Sequence, residues 1–363
     1  MIVLSFSDSL QTYLLSLPLV SRYNGGKAIY RNKIFLSNNG LTGNGELEYL
    51  SSNTKSNEIY FFPDSAALFA QSFKLNRVDE GIEFPDVENT EIFGLYEPYN
   101  DKYRIHKLKS DFYCYNKKAN FDGDMILKPT GLIAEGIMNL ENSQMKSEMF
   151  TFNANWFDAD TADLSVFTDL GEIAFKSNNL KTHIDLSLRT GDFYSNGKGS
   201  YVELPANKYI CYIDKLRWNM NEETLTLGEN DENARGTRFV SVHPSQDSLS
   251  FIAKTSSYNL NENIIKLKEV KEILVADAIV NPTEDFIIEK DAFIPTISNA
   301  RILANTTTKY HEFSNSTINI LGRNNYTARG DYTYVDGLGQ EQYIFFSNIS
   351  VNNENKTIGT GQV

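Results

Sequence analysis

Strict alternation of apolar and polar positions runs through much of this chain, and it predicts strands that bury one face. Ile184, Leu186 and Leu188 alternate with Asp185, Ser187 and Arg189. Phe286 and Ile288 share a face in the same way. Period-two patterning of this kind belongs to half-buried β-strands. Two stretches carry a helical hint. Ser65 to Phe73 follows Pro63-Asp64 and could form a short turn of helix. Ile264 to Val275 intersperses Lys and Glu among apolar residues, but its β-branched Val270, Ile273 and Val275 tip it to strand.

A repeat is superimposed on the alternation. Ile34-Phe35-Leu36, Gly40-Leu41 and Gly45 recur, 91 residues on, as Met125-Ile126-Leu127, Gly131-Leu132 and Gly136. Ser52, Lys55, Ser56 and Phe61 fall at the same offset on Ser143, Lys146, Ser147 and Phe152. Eight identities in one ungapped register point to a unit of about 90 residues present twice. Each copy reads as an apolar strand, a polar corner and a longer strand. Gly40, Gly45, Gly131 and Gly136 are expected to be structural corners, where the chain needs positive φ or close backbone approach. The last third carries a different motif, an Asp or Asn followed by a small residue, any residue, and Ile or Val, at Asp277, Asn299 and Asn315. Short strands entered at Asx corners suggest stacked coils.

The expected fold is therefore all-β, with repeated stacked strands: a β-solenoid or parallel β-helix with jellyroll-like excursions. The expected segments are residues 1–24, a leader or remnant of a preceding region; 25–115, a first β repeat; 116–235, a second; and 236–363, β-helix-like coils truncated at the C-terminus. Strand-like runs at Ile344, Phe346 and Ile349 to Val351 lead to an end without a polar cap, so the expectation is a piece of a longer chain.

Composition supports this picture. The 363 residues include 23 Phe, 20 Tyr and 38 Asn but only 2 Trp, which suits many strands and many turns. The formal net charge is −13, and no Lys/Arg run offers the basic face that nucleic acid or an anionic membrane surface requires. Cys114 and Cys211 each sit in an apolar aromatic stretch and read as buried thiols, although a disulfide is not decided by spacing. No stretch reaches the roughly 18 apolar residues of a membrane helix.

Candidate chemistry is sparse. Asp158, Asp160 and Asp163 could give carboxylates to a calcium ion. They lack the Gly turn and closing Glu of a twelve-residue calcium loop, so a solvated corner between strands is the favoured reading and no cofactor is expected. His106, His183, His243 and His311 form no metal-ligand spacing. No nucleophile elbow occurs, and Gly197-Lys198-Gly199-Ser200 lacks the upstream Gly of a phosphate loop. Tyr96 and Tyr99, and Tyr332 and Tyr334, are the aromatics best placed to stack on sugar rings, against the plainer alternative of cross-strand packing.

The stretch Gly40-Leu41-Thr42-Gly43-Asn44-Gly45, its second copy, and Ala276-Asp277-Ala278-Ile279 resemble pieces of very large exported β-rich repeat proteins of Bacteroidota. That resemblance implies architecture and export to the cell envelope or surface, and it carries no functional residue. The function expected is a non-enzymatic structural or binding module, with other segments of the same long chain, envelope proteins or a glycan as partners. The alternatives are a carbohydrate-active β-helix hydrolase or lyase, and an open β-jellyroll that carries lipid.

Overall fold

The computed structural model describes residues 27–362, apart from 169, 198, 229–235, 306 and 308–310. Of the described residues, 67% lie in strands and 3% in helix. It divides into two compact units, residues 1–162 with 183–188, and residues 163–182 with 189–363. The sequence segments 25–115, 116–235 and 236–363 follow repeat spacing, and residues 1–24 lie outside the described residues.

The first unit is an antiparallel meander. Gly40–Tyr49 pairs with Ser52–Phe61, which pairs with Ala66–Leu75. Ala66–Leu75 faces two shorter strands placed end to end, Val87–Asn89 and Ile92–Glu97. Ile92–Glu97 pairs with Lys102–Lys107, and both Lys102–Lys107 and Phe112–Cys114 pair with Ala119–Lys128. Gly131–Leu140 and Ser143–Phe152 continue the order. Neighbours are joined by tight turns, as between the paired residues Ser37 and Gly40 or Lys128 and Gly131. Connections this short can join only antiparallel strands.

The segments that align at 91 residues make matching hairpins, Gly40–Tyr49 with Ser52–Phe61 and Gly131–Leu140 with Ser143–Phe152. The register shifts between Gly43 and Gly45 in one and between Ala134 and Gly136 in the other. Gly40 and Gly131 do sit at corners, with φ of 91° and 140°. Gly45 and Gly136 do not. They lie inside strands at β-bulges, at φ of 144° and 148°, where the extra residue needs a conformation that side chains avoid.

One face of this sheet is packed with rings. Tyr103, Phe73, Phe112, Phe121, Phe150 and Phe157 are almost wholly buried. The Tyr103 hydroxyl shares a hydrogen bond with the Thr54 hydroxyl at 3.1 Å, and Tyr49 donates to the Asp101 carbonyl at 2.8 Å. Each buried phenyl contributes roughly 1.5–3 kcal/mol relative to an exposed one.

A closed eight-stranded antiparallel barrel follows along the chain. Pairing passes from Ile173–Asp185 through Tyr201–Leu204, Tyr209–Tyr212 and Thr237–Ser241 to Ser250–Asn259. It returns through Thr224–Gly228, Lys215–Asn219 and Thr190–Ser195. Further antiparallel strands follow, from Ile264–Val275 to Thr357–Gln362. Tyr209, Tyr258, Phe175 and Phe239 fill this core.

Three expectations are corrected. Among the described residues no solenoid or parallel β-helix is present, because consecutive strands turn back on one another instead of coiling onward. The Asx motif of the last third marks bulges and a turn rather than coil corners. Asn299 and Asn315 adopt φ of 55° and 47° inside Ile297–Ala304 and His311–Gly322, where the ladder between those strands and their neighbours shifts register. Ala276, at φ 53°, turns the chain before Ala278–Asn281. Asn tolerates that left-handed geometry, which makes it a bulge residue as readily as a corner residue. Residues 66–75, the region of the expected short helix, are a strand, whereas Ile264–Val275 is a strand as expected.

Candidate functional site

The solvent face of the first unit carries an aromatic row in register across six strands. Glu58 pairs with Phe69, Phe69 with Phe93, Phe93 with His106, His106 with Asp124, and Asp124 with Glu135. Residues directly opposite on an antiparallel sheet point to the same side, so all six side chains share one face. The Phe69 and Phe93 ring centroids are 5.2 Å apart, and Phe93 and His106 stack at 6.1 Å with 29° between planes. His106 Nδ1 lies 2.9 Å from the Asp124 carboxylate. Phe69 is 43% exposed.

A second row lies two residues along, through Tyr60, Ala67, Leu95, Arg104, Ile126 and Ile133. All six are half-buried although they are on the side away from the core. Arg104 is held by Glu97 at 2.8 Å, and Lys102 by the same carboxylate at 3.1 Å. Burial opposes ionisation of Glu97, but its hydrogen bonds to Arg104 and Lys102 prevail and hold its carboxyl below the usual range. Tyr60 donates to Glu58, and that acceptor raises the phenol above its ordinary value. The face is thus a band of rings and aliphatic side chains bordered by carboxylates.

The aromatics expected from sequence are divided by this geometry. Tyr96 is buried on the core side of Ile92–Glu97, where its hydroxyl accepts from the Lys27 and Ala28 amides at 2.9 and 3.2 Å. It cannot stack on a ligand; its neighbours Phe93 and Leu95 face out instead. Tyr99 is 67% exposed in the short 3-10 turn Pro98–Asn100. Tyr332 packs against Phe313 at 5.5 Å and Phe346 at 5.8 Å. Tyr334 is exposed near the end of a hairpin formed by Asn325–Val335 and Glu341–Val351. That hairpin also exposes Leu338, Tyr343 and Phe345.

Asp158, Asp160 and Asp163 all lie on the exposed side of Trp156–Phe167, Thr161 being an extra outward residue that shifts the alternation by one so that Asp163 also faces out. They do not converge. Asp158 binds His183 Nδ1 at 2.7 Å beneath the Trp156 ring, and Asp163 accepts the Asn179 amide at 3.0 Å. Among the described residues no group of three or more His, Cys, Asp or Glu is arranged to hold a metal ion. His243 accepts the Ser245 amide in a turn, and His311 contacts the Tyr332 hydroxyl. Cys114 and Cys211 are both free and buried, and burial pushes each thiol up. Among the described residues no helix is long and apolar enough to cross a membrane.

No family model, no curated protein and no solved structure matches the chain.

Proposed function

We propose that the chain is a non-enzymatic structural and binding module of a large exported cell-envelope or surface protein, as the resemblance to Bacteroidota repeat proteins implies. The two hairpins 91 residues apart are read as copies of one unit in that longer architecture. The observation that carries the reading is the outer-face row from Glu58 to Glu135, a built surface on a sheet whose other face is already occupied by its own core. Monomer surfaces rarely keep large apolar patches without a use. An acidic surface of net charge −13 keeps such a module soluble and away from nucleic acid.

A lipid carrier is less well supported, because rings such as Tyr103, Phe121 and Tyr258 are fully buried. A glycan hydrolase or lyase needs paired carboxylates with different environments, and the carboxylates of the row are instead bound by Tyr60 and His106 or stand apart. Incubation of the full chain with a panel of polysaccharides, followed by assay for new reducing ends and unsaturated sugars, tests the reading. No release is expected; turnover that scales with protein concentration would overturn it.

A further inference from the structure

We propose that the row formed by Phe69, Phe93 and His106 between Glu58 and Glu135 is a platform for a neutral glycan. The proposal rests on the binding-module reading and deepens it by naming the ligand class.

Three features select that ligand. The first is shape: six adjacent strands at about 4.8 Å spacing make a row roughly 24 Å long, extended enough for several sugar units side by side. The second is the pairing of rings with carboxylates. A sugar presents C–H bonds on its faces and hydroxyl donors around its rim. Aromatic faces are electron-rich and receive the polarised C–H groups. Carboxylates accept hydroxyl protons in charge-assisted hydrogen bonds, and Glu58, Asp124 and Glu135 stand in line with the rings; Glu58 and Asp124, each contacted by one side chain (Tyr60 and His106), keep further lone pairs for a sugar hydroxyl.

The third feature is charge. The row ends in acid on both sides, Glu58 at one end and Asp124 with Glu135 at the other. Its nearest guanidinium, Arg104, already binds Glu97. Phosphorylated, sulfated or uronate-bearing ligands would meet carboxylates at both ends of the row. A second copy of the chain would bring the same acidic ends face to face, between molecules that each carry −13. A ligand rich in hydroxyl donors and without charge fits.

The test uses the full chain, with neutral β-glucan, mannan and xylan as probes in affinity electrophoresis and calorimetry. At least one probe should retain the wild type. Phe69→Ala should weaken that retention about tenfold, the factor that corresponds to about 1.4 kcal/mol. Phe93→Ala should do the same, with circular dichroism and melting to show that it has folded. Glu135→Gln, at the exposed end of the row, should weaken binding without any effect on melting. Tyr343→Ala, on the distant hairpin, should bind as the wild type does, and added salt should change little because the ligand is uncharged. Absence of retention by any neutral probe would overturn the platform, as would equal retention of wild type, Phe69→Ala and Phe93→Ala. A dimer in sedimentation that Phe69→Ala abolishes would assign the face to a second copy and overturn it too. None of these results touches the module reading, which falls only if sugars are released.

Discussion

The Tyr103 hydroxyl lies where a side chain on Gly94 would have to be: a Cβ there would sit 2.3 Å from the phenol oxygen. Tyr103 pairs with Tyr96 across the ladder, and its ring leans over the glycine on the core side. Gly94 therefore faces inward with Ile92 and Tyr96, and Phe93 and Leu95 are directed outward. The outer aromatic row depends on this one close approach.

Gly94→Ala should accordingly destabilise the protein. The loss of backbone freedom in the unfolded chain favours Ala by about 0.4–1 kcal/mol. Overpacking against a fully buried tyrosine costs about 1–3 kcal/mol, and the clash wins. The expected result is a lower melting temperature, by a few degrees per kcal/mol for a unit of this size. Tyr103→Phe in the same background should recover only part of the loss, because ring carbons also lie within 3 Å of the added methyl. A melting temperature unchanged by Gly94→Ala would mean that the sheet face is not fixed in this way.

The paired bulges make a sharper comparison. A Cβ on Gly45 would fall 2.2 Å from the Arg31 carbonyl oxygen, and one on Gly136 2.2 Å from the Asp122 carbonyl oxygen. Backbone oxygens cannot step aside as a side-chain tip can. Gly45→Ala and Gly136→Ala should each cost about 2–4 kcal/mol, at the upper end of ordinary single substitutions. Gly40→Ala has no atom within 4 Å of the new methyl and meets only the strain of its positive φ, about 1–2 kcal/mol. Urea or thermal melts of the three variants should rank Gly40→Ala as the mildest.

These glycines also mark what could be read from the chain and what could not. The all-β class followed from alternation, and the offset of 91 residues located two hairpins whose bounds match residue for residue. The direction of pairing was not legible. An Asx residue before an Ile occurs wherever backbone must turn left-handed, and the sequence around Asn299 and Asn315 looks the same at a bulge as at a coil corner. The face of a strand was hidden in Ile92-Phe93-Gly94-Leu95-Tyr96, where apolar residues occupy both phases and period-two reading has nothing to separate. Gly94 was the available signal, since glycine within a strand often marks a close approach.

Both thiols should be silent in the native state. Cys114 and Cys211 are free, fully buried and pushed up by burial, Cys114 additionally by Asp86. The thiolate is the reactive form, so neither should react with an aromatic disulfide reagent at neutral pH. Addition of denaturant should release two equivalents, the whole cysteine content of the chain. Rapid modification of one thiol before unfolding would place that cysteine in a less protected setting than its burial implies.

Tyr30 should limit stability in alkali. Its hydroxyl donates to the Lys33 carbonyl at 2.5 Å and lies 2.7 Å from the Asn44 carbonyl oxygen, beside the bulge strand Gly40–Tyr49. Burial raises this phenol from 10.0 to about 12, the Asn44 contact opposing the rise. In the unfolded chain it ionises near 10. The folded state therefore holds the proton more tightly, and the stability linked to it is complete below pH 10. It declines as the unfolded phenol ionises above pH 10 and is gone once the pH has passed about 12. Melting temperatures should fall steeply across that window, with a rise in tyrosinate absorbance that accompanies unfolding rather than preceding it. Tyr30→Phe lowers stability at neutral pH by removing a hydrogen bond, about 1 kcal/mol, yet it leaves one fewer phenol to ionise on unfolding. The gap between variant and wild type should thus narrow from pH 10 to pH 12. A gap that stays constant over this range would mean that Tyr30 ionises in the folded protein as freely as in the unfolded one.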